Sequence, residues 1–210
     1  MATIATRNSG YITPRDPSIM TTKASDQNQV IAAITLAFSL DPAGRYLYPD
    51  SHQFFSNFPE FVRIFGGKAF EHDTAYYVDG FTGAALWYPP GVHPNEDALV
   101  SLLLRTVPEN MQEELFAVLE QMGSYHPAEP HWYLPLIGVD PAHQGKGYGS
   151  ALLKHTLATC DRNHQIAYLE STSPQSVRLY ERHGFKVLAE IQVGSSPSIF
   201  PMTRVPQLSN

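Results

Sequence analysis

The sequence has few of the features that mark secreted or membrane proteins. Its single cysteine, Cys160, cannot form an internal disulfide or a thiolate metal cage. No apolar run approaches the roughly 18 residues that a membrane-spanning helix needs. Met1 to Pro17 lacks the apolar centre of a secretory signal. We therefore expect a cytoplasmic protein with no membrane partner, in which residues 1–17 form a flexible arm.

Positive charge is also scarce. The 210 residues include 14 Lys and Arg against 20 Asp and Glu, for a formal net charge of −6. A surface that follows nucleic acid needs clustered Lys and Arg to displace counterions, so we expect no nucleic-acid partner. The nine histidines show no His-Glu-x-x-His or similar spacing, so we also expect no metal site.

Hydrophobic residues make up 43% of the chain, which is enough for a packed core. The first apolar pattern has helical period and follows Asp26 and Gln29, which resemble a capping box. Asp41-Pro42 is expected to end this helix, because proline cannot continue one.

A second helical region is predicted over residues 51–71. Pro59 and the Gly66-Gly67 pair mark its expected breaks. Two short runs of aromatic and β-branched residues come next and predict a hairpin. Its strands are expected at residues 74–78 and 84–88, with the turn at Asp79-Gly80.

Strands and helices alternate after two further predicted helices, at residues 96–105 and 109–121. The predicted elements are a strand at 131–139, a helix at 147–161, a strand at 166–170, a helix at 174–183, and strands at 185–193 and 199–204. An early hairpin followed by a strand–helix–strand unit predicts one α/β (α+β) domain, spanning residues 18–206. Its sheet should be mixed, with helices on both faces.

The segment between the strand at 131–139 and the following helix is rich in glycine. A helix start has free backbone N–H groups and partial positive charge, and glycine lets the backbone approach an anion closely. The segment therefore predicts a phosphate-bearing ligand, although an ordinary glycine-rich turn is an alternative. A dinucleotide loop would need glycine in place of Leu152. A triphosphate loop would need Ser or Thr in place of Gly147.

The spacing of Gln144, Gly147 and Gly149 resembles the acyl-CoA pyrophosphate loop, Gln-x-x-Gly-x-Gly, of the GNAT superfamily of N-acyltransferases. A second GNAT-like motif, Leu-Tyr-x-x-x-Gly-Phe, spans Leu179 to Phe185. Ser173 can cap the helix before it, and Gly184 suits the left-handed residue after its end. Further segments resemble puromycin N-acetyltransferase and its relatives; they span residues 129–134, 138–147, 169–172, 180–185 and 202–204.

The resemblance implies a single GNAT-like domain with a splayed, mixed sheet of about six or seven strands. It also implies acetyl-CoA as co-substrate and no metal. The residues expected to bind acetyl-CoA are Ile137, Gly138, Val139, Gln144, Gly145, Lys146, Gly147, Tyr148, Gly149, Ser150, Ser173 and Tyr180. Relatives often have Asn at the positions of Ser173 and Ser176, where the shorter serine reaches less far toward the cofactor.

Acyl transfer needs a proton donor for the leaving thiolate and a neutral amine. The family position implies that Tyr180 is the donor; a tyrosine that braces the helix against the sheet is the alternative. Glu170 is the candidate base, with His131 and Tyr133 as rivals and a solvated strand-end carboxylate as the alternative. The candidate substrate-binding residues are Tyr48, Trp87 and Tyr133.

These residues together predict an N-acetyltransferase that transfers an acetyl group to a primary amine of a small molecule by direct attack on the thioester. Two other functions fit the same motifs: acetylation of a protein or peptide, and acyl-CoA binding without chemistry. The resemblance is compatible with a monomer or a homodimer.

Overall fold

The computed structural model of the protein describes residues 17–78 and 80–207. These residues form seven strands: β1 (Ile19–Thr21), β2 (Ala75–Val78), β3 (Gly83–Tyr88), β4 (His131–Val139), β5 (Ile166–Ser171), β6 (Lys186–Val187) and β7 (Phe200–Arg204). They also form eight α-helices: α1 (Gln27–Ala37), α2 (Pro42–Leu47), α3 (Ser51–Phe65), α4 (Lys68–Glu71), α5 (Glu96–Thr106), α6 (Glu109–Ser124), α7 (Tyr148–Arg162) and α8 (Pro174–Arg182).

The described strands lie in one open sheet with the order β1-β2-β3-β4-β5-β7-β6. All neighbours are antiparallel except β4 and β5, which are parallel and connected through α7. The sheet is therefore mixed, as predicted. The predicted hairpin is also confirmed as β2 and β3. Of its expected turn, Asp79 lies outside the described residues, and Gly80 has a φ of +63°.

Two hydrophobic cores lie on opposite faces of the sheet. The first contains residues of α1, α3, α5 and α6, including Ile34, Phe58 and Leu103. The second contains residues of α7 and α8, including Leu153 and Tyr180. The prediction of helices on both faces is confirmed. No helix in the described ranges is long and apolar enough to cross a membrane.

The structure differs from the prediction near Asp41. Helix α1 ends at Ala37, and Asp41-Pro42 begins a new helix, α2, which the sequence analysis missed. The Asp41 carboxylate accepts hydrogen bonds from the backbone N–H groups of Ala43 and Gly44 at 2.9 and 3.0 Å. Because proline has no N–H and a fixed φ, the same Asp-Pro pair that ends one helix also suits the first turn of another.

Three other expectations were wrong in detail. Helix α3 continues through Pro59, and the break comes only at Gly66-Gly67. The Asp26 side chain does not cap α1; it accepts a hydrogen bond from the Lys23 N–H at 3.2 Å. The strand predicted at 185–193 is limited to β6 and an isolated bridge between Ile191 and Ile199. The predicted arm at residues 1–17 falls almost entirely outside the described residues, so it and the domain limits stay predictions.

Candidate active site

The two parallel strands of the sheet separate partway along their length. Pairing of β4 with β5 runs from His131–Ile166 to Leu134–Leu169 and then stops, although β4 continues to Val139. The next residue in β4 is Pro135, which has no N–H to donate to a neighbouring strand. Beyond this point β4 is paired only with β3, so backbone groups on its other edge are available to a ligand. The predicted splay is present.

A β-bulge lies at the same point in β4. Leu86 of β3 pairs with Leu136, whereas Tyr88 pairs with Tyr133, so β4 contains one extra residue. An extra residue shifts the alternation of side chains between the two faces of a sheet. Tyr133 and Leu136 consequently both pack in the first core, although they are an odd number of residues apart.

A cavity of about 840 Å³ opens where the strands separate. Helices α3, α5 and α6 form its apolar wall, including Phe58, Phe61, Phe65, Leu103, Leu115 and Met122. The glycine-rich loop and the start of α7 form the opposite part of the lining. The cavity therefore joins a surface suited to an apolar molecule with a surface suited to an anion.

The loop and the start of α7 have the geometry of an anion site. Gly145 and Gly147 have φ values of +76° and +84°, and a Cβ added to either would meet no atom within 4 Å. No side chain among the described residues caps α7, so the first N–H groups of the helix, from Tyr148 on, are left for a ligand. The diphosphate of a coenzyme A thioester fits this open, glycine-rich helix start.

Most residues predicted to bind acetyl-CoA line this cavity. They are Ile137, Gly138, Val139, Gln144, Gly145, Gly147, Tyr148, Gly149, Ser150, Ser173 and Tyr180. Lys146 is exposed and lies outside the lining. Ser173 caps α8 as predicted: its Oγ accepts a hydrogen bond from the Ser176 N–H at 3.2 Å. Gly184 has the predicted left-handed conformation, with a φ of +87°.

The two candidate catalytic residues line the same cavity. Tyr180 is buried at 7% exposure. Burial, and to a smaller extent the charge of Asp41, raises the pKa of its phenol, which keeps the hydroxyl protonated at neutral pH. The Glu170 side chain is only 4% exposed, so it is not a solvated carboxylate at the end of a strand.

The three candidate substrate-binding residues lie elsewhere. Tyr48 is buried in the first core, where its hydroxyl is 2.8 Å from Thr106 Oγ1, and Trp87 is buried in the second core. Tyr133 lines a second cavity of about 360 Å³, together with its rival base His131. These aromatic rings mainly pack the two faces of the sheet, a role that the sequence does not distinguish from substrate contact.

Two acidic or basic residues of the site were not predicted to take part in the chemistry. Asp41 lines the main cavity, and the Thr172 hydroxyl at the end of β5 donates a hydrogen bond to it. His126 lies in the turn before β4, and its Nε2 is 3.1 Å from Glu170 Oε1. No motif marks His126 in the sequence; only the fold brings it to Glu170.

Metal-ligating side chains are not clustered in the described residues. In the part of the chain that the structure describes, there is no group of three or more His, Cys, Asp or Glu residues placed to hold a metal ion. The absence of a metal from the reaction stays a prediction.

Part of the chain matches a known protein family. Residues 112–187 match the acetyltransferase (GNAT) domain family. An uncharacterized N-acetyltransferase of Schizosaccharomyces pombe is 26% identical over 177 residues, which are 78% of this chain and 72% of that protein.

Solved structures show the same fold. One is described as histone acetyltransferase HPA2 and related acetyltransferase from Corynebacterium glutamicum; it has a TM-score of 0.65 and 24% identity over 92% of this chain and 98% of that one. Another, arylalkylamine N-acetyltransferase 2 from Aedes aegypti, has a TM-score of 0.64 and 14% identity over 92% of this chain and all of that one. These matches, together with the splayed strands and the open start of α7, support a GNAT acetyltransferase domain, and the chain is an acyltransferase of the N-acetyltransferase type.

Proposed function

We propose that the enzyme transfers the acetyl group of acetyl-CoA to a primary amine of a small molecule with an apolar or aromatic body. The observation that carries this proposal is that one cavity combines the anion site, Tyr180, Glu170 and a wall of phenylalanine and aliphatic side chains. Mostly apolar pockets with a few polar groups are typical of small-molecule sites. The Aedes aegypti relative of similar fold is an arylalkylamine acetyltransferase by name, which agrees with such an acceptor.

Each part of the cavity has a role in this reaction. The amides at the start of α7 bind the diphosphate, and the free edge of β4 beyond Leu134 binds the pantetheine arm. Acetyl-CoA supplies the thioester whose carbonyl carbon receives the amine nitrogen. Glu170 accepts a proton from the amine, and the new C–N bond forms as the C–S bond breaks.

Tyr180 stabilises the sulfur that leaves. A phenol with a reference pKa of about 10 would transfer its proton to a thiolate of pKa about 8.5 at a cost of roughly 2 kcal/mol. Because burial raises the pKa of Tyr180 further, full transfer costs more than this. We therefore assign Tyr180 a hydrogen bond to the departing thiolate, which lowers the barrier without complete proton transfer.

A thiol-release assay with a panel of amines tests the proposal. We expect acetyl-CoA-dependent release with small apolar primary amines. Matched tertiary amines should give none, because they have no N–H proton to lose in forming an amide. Release only with peptides would instead indicate a protein or peptide acetyltransferase. Acetyl-CoA binding without release on any amine would indicate a non-catalytic acyl-CoA-binding module.

A further inference from the structure

Glu170 lies between the two cavities. Its carboxylate lines the 840 Å³ cavity, and behind it His126 lines the 360 Å³ cavity. His126 Nε2 is 3.1 Å from Glu170 Oε1, which is close enough for an ion pair. The two groups are not aligned for a hydrogen bond. The Glu170 side chain is 4% exposed and the His126 side chain 28% exposed. This contact is therefore a polar connection between a buried carboxylate and a side chain that reaches solvent.

A backbone carbonyl determines which ring nitrogen of the neighbouring His131 carries a proton. His131 Nδ1 is 2.8 Å from the Glu129 carbonyl oxygen, which can only accept a hydrogen bond, so Nδ1 carries a proton. Burial lowers the pKa of His131 and favours its neutral form. In that form His131 Nε2 has no proton and acts as an acceptor.

The unprotonated Nε2 of His131 in turn determines which ring nitrogen of His126 donates a hydrogen bond. His126 Nδ1 is 3.3 Å from His131 Nε2, so the His126 Nδ1–H donates this hydrogen bond. His126 Nε2 then faces Glu170. A carboxylate oxygen and an unprotonated imidazole nitrogen are both acceptors and would repel at this distance, so the contact is attractive only when it holds one proton.

Other titratable groups surround the pair. The ones that face it or its neighbours are His93, Tyr125, His131, Tyr133 and Tyr168. The rings of Tyr133 and Tyr168 lie 4.7 and 4.3 Å from the His126 ring, centroid to centroid. Burial and the charge of Glu170 raise the pKa of both phenols, so both stay protonated at neutral pH.

We propose that His126 is a positioning residue that relays the proton of the reaction from Glu170 to solvent on the side of the second cavity, with His131 holding its ring in the required tautomer. This inference rests on the proposed function. The relay starts from the form of the pair in which the shared proton is on His126 Nε2 and Glu170 is a carboxylate. The amine N–H bond breaks and an O–H bond forms on Glu170, while the electron pair stays on nitrogen. The Nε2–H bond of the His126 imidazolium breaks and its proton passes to bulk water. The O–H proton of Glu170 then moves to the vacated Nε2 and restores the pair.

Two substitutions separate relay from packing. His126→Phe keeps a ring between the tyrosines but has no nitrogen. His126→Gln keeps an N–H that can donate to Glu170 but cannot exchange its proton at neutral pH. We expect both to lower kcat by about tenfold to a hundredfold, with an unchanged KM for acetyl-CoA. A third variant, His126→Ala, leaves the space of the ring empty beside the second cavity, and added imidazole should raise its rate.

The control is His155→Phe, because His155 packs against Tyr76 with ring centroids 4.5 Å apart and lies outside both cavities. We expect wild-type turnover from it. Wild-type turnover from His126→Gln would show that His126 only donates a hydrogen bond and would overturn the relay. Failure of imidazole to raise the rate of His126→Ala would overturn it as well.

Nitrogen-15 spectra of the histidine rings test the pair without any need for turnover. At one neutral pH, we expect His126 Nε2 to be protonated in the wild type and unprotonated in Glu170→Gln. Identical His126 spectra in the two proteins would overturn the relay even if the enzyme is active. If no amine supports thiol release, the proposed function is wrong, and the spectra still decide whether the pair shares a proton.

Discussion

Tyr180 shares its cavity with the partly buried carboxylate of Asp41, and burial of Tyr180 together with the charge of Asp41 raises the pKa of the phenol. Asp41 is held in place by the N–H groups of Ala43 and Gly44 and by the hydroxyl of Thr172. Burial raises the pKa of Asp41 itself, and these hydrogen bonds oppose that effect. The arrangement keeps the Tyr180 hydroxyl protonated and free to donate a hydrogen bond.

Tyr180→Phe removes only this hydroxyl. We expect kcat to fall by about tenfold to a thousandfold, because a donor to developing negative charge is lost. Affinity for acetyl-CoA, measured by calorimetry, should stay the same. Tyr76→Phe is the matched control, since Tyr76 lies on β2 against His155. An unchanged kcat in Tyr180→Phe would show that Tyr180 only packs against the second core.

Gly147→Ala tests the anion site at the start of α7. A non-glycine residue in the left-handed region costs about 1–2 kcal/mol, so stability should fall by that amount. Strain at this position also moves the first amides of α7, so we expect a several-fold weaker affinity for acetyl-CoA.

Gly80→Ala is its control. Gly80 has a φ of +63° and, like Gly147, open space around an added Cβ, but it lies in the β2–β3 turn. Chemical denaturation should show a similar loss of stability in both variants, whereas only Gly147→Ala should bind acetyl-CoA more weakly. Equal affinities in the two variants would contradict the assignment of the loop.

Asp161→Asn tests an ion pair that joins α7 to β7. Arg204 is 3% exposed and donates two hydrogen bonds of 2.8 Å to Asp161, which lower the pKa of that carboxyl. Removing the negative charge leaves the Arg204 charge buried, so we expect a loss of about 2 kcal/mol at pH 7. This is less than for a fully buried pair, because Asp161 is partly exposed.

The stabilisation by Asp161 should depend on pH. The pKa of Asp161 is lower in the folded state than in the unfolded state. Its contribution to stability is therefore present above the unfolded-state pKa of about 3.9, and it is lost as the pH falls through the folded-state pKa. Urea unfolding should therefore show the difference between wild type and Asp161→Asn shrinking below about pH 4. Glu71→Gln, in an exposed pair with Lys68, should change stability by less than about 1 kcal/mol. A constant difference across this pH range would contradict the assignment.

Cys160 should not react with thiol reagents in the folded enzyme. Burial raises the pKa of its thiol to about 12, so almost no thiolate is present at pH 8. We expect no modification in buffer and one modified thiol per chain in denaturant. Rapid modification of the native enzyme would show that the second core opens. The result also determines whether released coenzyme A can be measured with such reagents without interference.

Much of the fold could be predicted because its signals are local. The β2–β3 hairpin, the cap at Ser173 and the glycine after α8 each depend on a few adjacent residues. Helix α2 was missed because Asp41-Pro42 indicates both the end of one helix and the start of another. The sequence alone does not decide between these two roles.

The site was less predictable than the fold because it depends on distant residues. The bulge in β4 shifts the faces of Tyr133 and Leu136, and nothing in the local sequence specifies where β3 pairs across it. His126 reaches Glu170 across 44 positions of sequence, which no spacing rule connects. Tyr48 and Trp87 were assigned to the substrate because aromatic residues serve cores and pockets alike.

The central claim is that the amides at the start of α7 bind the diphosphate of acetyl-CoA. Backbone amide NMR during a titration with coenzyme A tests it most directly. We expect large shifts of the amide resonances of residues 144–150, with Gly80 unchanged as an internal reference. Binding that leaves residues 144–150 unshifted and moves resonances elsewhere would contradict the claim.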